Sequence, residues 1–307
     1  MFIMIILTAL LALVSLLLGA GDLSQDLQLL WLSRWPRTAA LLLSGVALAV
    51  AGMLMQLITR NKFVEPTTTG TTEWAALALL AIAIFNPQMS ILAKILIACA
   101  ASFVGAIGFM WLIQRVSLRS TVVVPLIGMM YAAVIGAVVS FFAYQFDLLQ
   151  SIMLWLSGDF SAVIQGRYEV LWLTLFITIL AYLFADRFTM LTLGKEMSTN
   201  LGLNYQAYYY LALAFIAAIV GLTVVTVGAI PFLGLVVPNI IRLKMGDNLR
   251  NSLPLLALSG AGLVLLCDII GRLVIYPYEI SVSVIMGVLG SVIFIQLLLN
   301  NGSLRRG

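Results

Sequence analysis

The chain has 307 residues, of which 63% are hydrophobic and 9% are charged. Soluble domains contain about 45–50% apolar and about 25% charged residues, so this composition indicates an integral membrane protein. A spanning helix needs about 20 mainly apolar residues, which leaves room for about ten spans with their loops. The net charge of +4 would suggest nucleic-acid binding in a soluble protein, but here basic cytoplasmic loops explain it better.

The residue inventory excludes several kinds of chemistry. The sequence has no histidine, so it lacks a His base, a His metal ligand and a His haem ligand. Cys99 and Cys267 lie in apolar runs and are expected to be buried, without a disulfide or a zinc site. No G-x-x-x-x-G-K-[ST] phosphate loop occurs, because Gly194-Lys195 precedes Glu196 and lacks the upstream glycine. The chain is therefore not expected to hydrolyse ATP itself.

Apolar segments in chain order predict ten spans within one transmembrane domain, residues 1–307. These are residues 2–18, 38–58, 73–85, 90–113, 122–145, 169–185, 207–227, 230–245, 253–273 and 280–299. The first has no preceding basic residue and no A-x-A site after it, which favours a retained span over a signal peptide. The uncharged stretch from Leu201 to Ile241 is too long for one span, so Gly228–Pro231 is predicted to form a turn between two.

The distribution of basic residues supports this count. One set of alternating loops and tails contains eleven basic residues: Arg60, Lys62, Arg115, Arg119, Arg187, Lys195, Arg242, Lys244, Arg250, Arg305 and Arg306. The opposite side contains five: Arg34, Arg37, Lys94, Arg167 and Arg272. The positive-inside rule therefore predicts that both termini are cytoplasmic.

Two predicted spans are interrupted. The third has a clean apolar run only from Trp74 to Phe85, after the threonine-rich residues 67–72, and the eighth contains Pro231, Gly234 and Pro238. Each is third in its set of five spans. Paired interruptions of this kind are typical of transporters built from two related halves. Alternatively, packing by neighbouring helices simply tolerates two weak spans.

Three arginines lie at the predicted outer face of the membrane, and one acid lies within the span that Arg272 ends. Arg34 and Arg37 flank Pro36, and Arg272 ends the ninth span on the same side. Docking of an acidic partner surface is one interpretation, and snorkelling of the guanidinium groups to the interface is the other. Asp268 is the one acid well inside a span, which makes it a functional candidate. An i,i+4 pair with Arg272 is the favoured interpretation.

Two further features are candidates for contacts. Leu193, Met197 and Leu201 recur at the spacing of one apolar helix stripe, before a helix stop at Gly202. Such a short cytoplasmic helix suits contact with a soluble partner or with the lipid surface. Methionines on two central spans are mostly core packing, but a methionine-rich wall would also suit a bulky substrate. These methionines are Met53, Met55, Met129 and Met130, and Gln56 follows Met55.

Taken together, four motifs resemble the permease subunits of bacterial iron-siderophore and vitamin B12 ABC importers, which have the type II importer fold. The motifs are Arg34-Trp35-Pro36-Arg37-Thr38, residues 45–52 continuing to Met55-Gln56, residues 228–238, and Asp268 to Arg272 followed by Glu279. Where that family usually reads Arg-Asn-Pro-Leu-Ala, this chain reads Arg60-Asn61-Lys62-Phe63-Val64. That form looks like a subgroup importing ferric catecholate or mixed-ligand siderophores, such as vibriobactin, anguibactin and petrobactin.

The resemblance implies an all-α fold of about ten transmembrane helices in two related five-helix halves. It implies a non-enzymatic permease of the bacterial inner membrane that works by alternating access. The expected partners are a second homologous permease (a different chain), two cytoplasmic ATPases, a substrate-binding protein and the lipid bilayer, with no nucleic acid. This chain would hold no cofactor, since ATP and Mg bind the ATPases and iron passes only as a siderophore complex.

The resemblance also assigns roles to particular residues. Arg34, Arg37 and Arg272 would dock the binding protein. The ATPase would contact the segment containing Leu193, Gly194, Lys195, Glu196, Met197, Asn200, Leu201 and Gly202. The gate or pathway would involve Asn61, Phe63, Ser120, Thr121, Gln56 and Met129. The alternatives are an ion-coupled secondary transporter, a permease for haem or vitamin B12, and a membrane-embedded enzyme.

Overall fold

The protein is described by a computed structural model that covers residues 1–19, 28, 30–116, 122–246 and 248–303. These residues form α-helices and short 3₁₀ or π turns, without a β-strand. The helices are α1 (Phe2–Leu17), α2 (Trp35–Thr59), α3 (Thr71–Phe85), α4 (Ile91–Arg115), α5 (Val123–Gln145), α6 (Leu149–Leu156), α7 (Trp172–Leu183), α8 (Ala185–Met190), α9 (Lys195–Asn200), α10 (Tyr205–Thr226), α11 (Leu233–Met245), α12 (Leu249–Val274) and α13 (Val282–Ser303). The expectation of an all-α chain is confirmed.

Every predicted span has a helix in its place. By length and composition, α2, α4, α5, α10 and α12 can each cross a membrane, and the pair α7 and α8, bent by 67°, is a sixth candidate. Shorter apolar helices, α1, α3 and α13, and the 13-residue α11 occupy the other four positions. Nothing in the hydropathy pattern indicated α6 or the bend before α8. Asp147, with a φ of 56°, separates α6 from α5.

Contacts between loops define the two ends of the bundle. We call them the Arg37 end and the Arg60 end, after residues at the first turn and the C-cap of α2. At the Arg60 end, Arg250 forms an ion pair with Asp186, and the Asn239 side chain donates to the carbonyl oxygen of Lys62. The loops after α2, α8 and α11 therefore share one end, as the predicted number of crossings requires. Arg119, Arg305 and Arg306 lie outside the described residues.

Helix α2 lies at the centre of the bundle, with 20 of its 25 residues buried. Glycines let its backbone approach two other helices closely. A Cβ atom on Gly45 would lie 2.7 Å from the carbonyl oxygen of Gly260 on α12, and one on Gly52 would lie 2.1 Å from that of Gly234 on α11. Small residues at helix contacts are a common basis of packing in membranes, where apolar burial does not itself drive helix association.

The two interrupted spans are helices that begin part-way through the bundle. The segment from Arg60 to Gly70, including a 3₁₀ turn at Pro66–Thr69, precedes the 15-residue α3. Residues 227–232 precede α11, with Gly228 at a φ of 87°. Each helix is shorter than the roughly 20 residues that a full span needs. The predicted turn at Gly228 is thus confirmed, and the two breaks contact one another.

Candidate functional site

At the Arg37 end, an internal charge network joins α2, α12 and the segment before α13. We call Arg37, Asp268, Arg272 and Glu279 the Asp268 cluster. Arg37 Nη2 lies 2.7 Å from Asp268 Oδ1, and Arg37 Nη1 lies 2.8 Å from Glu279 Oε2. Arg272 pairs with the other oxygen of Asp268. The Asp268 side chain is fully buried, so two guanidinium groups neutralise a carboxylate that would otherwise be costly to bury.

The predicted pair between Asp268 and Arg272 is therefore confirmed, but the sequence analysis missed the other half of the cluster. Arg37 is separated from Asp268 by 231 residues and from Glu279 by 242. No local spacing reveals such pairs. One feature could have indicated that these residues meet: Arg37 and Glu279 fall on the same predicted side of the membrane as Arg272.

Arg34 and Arg272 also bind the end of α1. Arg34 Nη1 donates to the carbonyl oxygen of Leu17 at 2.8 Å, and Arg272 Nη1 donates to those of Ser15 and Leu18 at 3.1 Å. The last carbonyl groups of a helix lack helical donors, and positive charge there is favourable. Both arginines are more than nine-tenths buried, so they do not snorkel into water.

These contacts limit how freely the three predicted docking arginines can reach a partner protein. Arg34 and Arg272 have structural partners inside the chain, and they would have to release α1 to reach another protein. Arg37 is also paired inside the chain, but it lies nearer the surface, since its side chain is 14% exposed and that of its partner Glu279 is 34% exposed. Docking stays a prediction for all three, with Arg37 in the best position for it.

At the Arg60 end, Gln56 joins α2 to α11. Its amide nitrogen donates to the carbonyl oxygen of Gly234 at 3.3 Å, and its side-chain oxygen accepts from Arg242 at 3.2 Å. Gln56 has no exposed surface. It was predicted to line the pathway, but it lies inside the chain, because its two polar groups bind partners on α11. Met129, by contrast, is 51% exposed on α5.

The predicted gate residues Asn61 and Phe63 lie directly after α2. Asn61 Oδ1 accepts from the backbone N–H of Phe63 at 2.9 Å, after Arg60 has ended the helix in the left-handed conformation. The Phe63 ring packs edge-on against Phe294 of α13, with 5.9 Å between the ring centroids. The segment is thus held against α13. Ser120 and Thr121, the other predicted gate residues, lie outside the described residues.

Glu65 is a buried acid that the sequence analysis did not single out. Its Oε1 accepts from the backbone N–H of Phe232 at 3.0 Å and from the hydroxyl of Thr67 at 2.7 Å. The amides of Gly234 and Leu235 in the first turn of α11 also interact with the carboxylate. Glu65 therefore supplies acceptor oxygens to backbone N–H groups at the N-terminus of α11, which have no acceptor within the helix. Its neighbours in sequence gave no sign of this role, because its partner Phe232 lies 167 residues away.

The predicted ATPase-binding segment exposes an apolar surface, but not as a single helix. Leu193 lies in a 3₁₀ turn, and Gly194, with a φ of 88°, separates it from α9. The prediction of one continuous stripe is wrong for this reason. Leu193, Met197 and Leu201 are nevertheless 45%, 58% and 58% exposed.

The rest of that segment is anchored to the bundle. Ser198 donates to the carbonyl oxygen of Met190 at 2.7 Å, and Gly194 is buried next to Arg60. Lys195, Glu196, Asn200 and Gly202 are exposed. The loop thus presents apolar and polar side chains together at the Arg60 end.

Helices α5 and α13 each expose an apolar face. Only 22% of the most apolar stretch of α5 is buried, and Met130 and Val134 are more than 60% exposed. On α13, Val284, Val288 and Val292 repeat at helical spacing and are each 55–61% exposed. These faces have no partner within the described chain and are available to lipid or to another membrane protein.

The sequence profile of the FecCD transport family matches residues 1–300. The petrobactin import system permease protein YclN of Bacillus subtilis is 41% identical over 303 residues, which cover 96% of each chain. The ferric-anguibactin transport system permease protein FatD of Vibrio anguillarum is 42% identical over 294 residues, 93% of this chain and 94% of that protein. The vitamin B12 import system permease protein BtuC of Vibrio cholerae is 32% identical, covering 91% of this chain and 85% of that one.

A solved structure agrees with the fold. A metal-chelate type ABC transporter in an inward-facing conformation is 26% identical and superposes with a TM-score of 0.82, covering 97% of both chains. The expected fold is therefore confirmed over nearly the whole length.

Proposed function

Because the chain belongs to the FecCD transport family and has the all-α fold of type II ABC importer permeases, we propose that it is the permease subunit of an ATP-driven ferric-siderophore importer. The observation that carries this proposal is its near full-length similarity to permeases named for petrobactin and anguibactin. Identity to the vitamin B12 permeases is lower, at 32–35%. The siderophore would be a catecholate or mixed-ligand chelate.

The permease would depend on other subunits for ATP hydrolysis. It has no phosphate-binding loop, so partner ATPases would bind ATP and Mg and would supply the energy. ATP binding and hydrolysis would then shift the permease between states open to either side of the membrane, through differential affinity for those states. Iron would pass only as part of its chelate.

The exposed faces support an assignment of partners. The apolar faces of α5 and α13 would pack against a second permease, a different homologous chain, with the pathway between the two permeases. Met129 is exposed on α5, where a polarizable side chain suits a bulky substrate that must be released again. Asn61 and Phe63, together with Ser120 and Thr121, would form the gate at the Arg60 end.

The proposal also includes the orientation of the chain in the membrane. With the basic Arg60 end and both termini in the cytoplasm, the loop around α9 would bind the ATPase through Leu193, Met197 and Leu201. The Asp268 cluster would then face the substrate-binding protein, whose acidic residues Arg37 would bind in bidentate fashion. This permease performs no catalysis in that scheme.

Uptake of radioactive iron tests the proposal. A strain without this permease should lose uptake of ferric petrobactin or a related catecholate chelate, and the gene should restore it. Deletion of the partner ATPase should have the same effect. Uptake that survives loss of the ATPase would indicate a secondary transporter, and loss of vitamin B12 uptake with normal iron uptake would indicate a different substrate.

A further inference from the structure

Two basic residues at the Arg37 end have no role in the contacts described so far. Of the five basic residues at that end, Arg34, Arg37 and Arg272 bind groups of the chain itself. Lys94 and Arg167 form no ion pair with any residue that the structure describes. The positive-inside rule disfavours basic residues on this predicted outer side, so their presence calls for a reason.

Both residues line one cavity. It has a volume of about 560 Å³ and lies between α3, α4, α6, the segment from Ser157 to Leu171 and the last turn of α10. Its interior is mainly apolar and includes Leu79, Ile82, Val163, Leu171 and Val224. Cavities of this size are typical of small-molecule sites, and an apolar wall favours an apolar occupant.

The lining of this cavity carries more positive than negative charge. Asp159 is the acid among its described lining residues, and its carboxylate already accepts from the backbone N–H and the hydroxyl of Ser161, at 2.8 and 2.9 Å. Lys94 uses one donor on the carbonyl oxygen of Pro87, at 3.1 Å, and an ammonium group has three. Arg167 is exposed. Two cations therefore remain available for an anion.

The cavity lies level with the first turn of α4 and the last turn of α10. Its lining includes Ile91, the first residue of α4, and Thr226, the last residue of α10. Ile91 and Leu154 both line the cavity and are exposed, at 44% and 68%. The cavity thus adjoins apolar surface at the level where a bilayer changes from hydrocarbon to headgroups, and where basic residues favour anionic headgroups.

We propose that this cavity binds an anionic phospholipid from the leaflet at the Arg37 end. Its phosphate binds Lys94 and Arg167 through charge-assisted hydrogen bonds, and one acyl chain occupies the apolar interior. The Asp159 backbone N–H donates to the carbonyl oxygen of Val227 at 3.0 Å, so the lipid would lie against a segment already fixed to α10.

The test uses the purified permease complex in nanodiscs or detergent, with native mass spectrometry to measure bound phosphatidylglycerol and phosphatidylcholine. One phosphatidylglycerol should remain bound per chain after mild delipidation. Lys94→Gln with Arg167→Gln should weaken phosphatidylglycerol binding by about 30-fold, from the usual contribution of two basic residues at a membrane surface. The matched control, Arg115→Gln with Lys244→Gln, removes two charges from α4 and α11 at the other end and should leave binding unchanged.

A second variant separates the acyl chain from the headgroup. Ala83→Phe fills part of the cavity while leaving both cations in place, and it should also reduce phosphatidylglycerol retention. Unchanged retention in both Lys94/Arg167 and Ala83 variants would overturn the proposal. So would displacement of the lipid by inorganic phosphate alone, which would indicate a free-anion site, or by the ferric chelate, which would indicate a substrate site.

Discussion

The carboxylate of Glu65 accepts a hydrogen bond from the backbone N–H of Phe232, with 3.0 Å between Oε1 and N, although 167 residues separate them. Glu65 lies in the break before α3, and Phe232 lies in the break before α11. Phe232 itself adopts the left-handed conformation, with a φ of 63°. One buried side chain therefore connects the interrupted segments of the two halves and supports the first turn of α11.

Removing this carboxylate should destabilise the protein. Glu65→Ala leaves the partly buried amide of Phe232 without its acceptor, at a cost of roughly 1–3 kcal/mol. Glu65→Gln, which keeps one acceptor oxygen, should cost less. Thermal unfolding of the purified complex measures both. Glu196→Ala, at an exposed position on α9, is the control, and equal melting temperatures for all three variants would contradict the assigned role.

Asp268 should be the most sensitive member of its cluster. Asp268→Asn leaves Arg37 and Arg272 facing each other in a buried site without their shared counter-charge, and breaking such a pair costs roughly 3–5 kcal/mol. Glu279→Gln removes a partially exposed partner and should have a much smaller effect. The comparison is made on melting temperature and on the amount of folded protein in the membrane. A larger effect at Glu279 would mean that Asp268 is not the centre of the cluster.

The contact between Gly52 and Gly234 should not tolerate a methyl group. A Cβ atom at Gly52 would lie 2.1 Å from a backbone oxygen, so Gly52→Ala must separate α2 from α11. Gly287→Ala on α13 adds the same methyl group where nothing lies within 4 Å, and it should be neutral. Size-exclusion profiles and melting temperatures distinguish the two. If Gly52→Ala is as stable as Gly287→Ala, the helices do not approach as described.

Charge on the apolar surface near α9 should uncouple transport from ATP hydrolysis. Met197→Asp places a carboxylate on a side chain that is 58% exposed, and an apolar partner surface would reject it. Chelate uptake into proteoliposomes should fall while the ATPases retain hydrolysis. Thr199→Asp, also exposed on α9, adds the same charge outside the three apolar residues. Loss of uptake in both variants would point to general disruption of the loop.

Arg37 and Glu279 should have opposite effects on docking. If Arg37 binds an acidic residue of the binding protein, Glu279→Gln removes an internal competitor and should tighten association a few-fold. Arg37→Gln should weaken association, because a bidentate charged contact is lost. Surface plasmon resonance with the cognate binding protein measures both affinities. Equal affinities in the two variants would leave Arg37 with a structural role alone.

Local patterns were sufficient for several features of this protein. Runs of apolar residues located a helix at each of the ten predicted positions, and basic residues indicated two sets of loops, because both signals reside in neighbouring residues. The pair of Asp268 and Arg272 was also predictable, since residues four apart share a helix face. Gly228 marked the turn before α11 for an equally local reason.

Other features depended on which helices pack together. Arg37 joins Asp268, and Glu65 reaches Phe232, only because distant segments meet in the folded chain; the sequence separation of each pair exceeds 160 residues. Gln56 illustrates the same limit, since its burial depends on α11 and not on its own neighbours in sequence.

Hydropathy, charge asymmetry and helical spacing determined the membrane class, the spans and the two ends from sequence alone, because each is set by consecutive residues and by the solvent around them. The tertiary structure decided which buried polar groups are partners. A buried charge or amide must find a donor or an acceptor wherever packing provides one, and close approaches such as that of Gly52 to Gly234 determine where those partners lie.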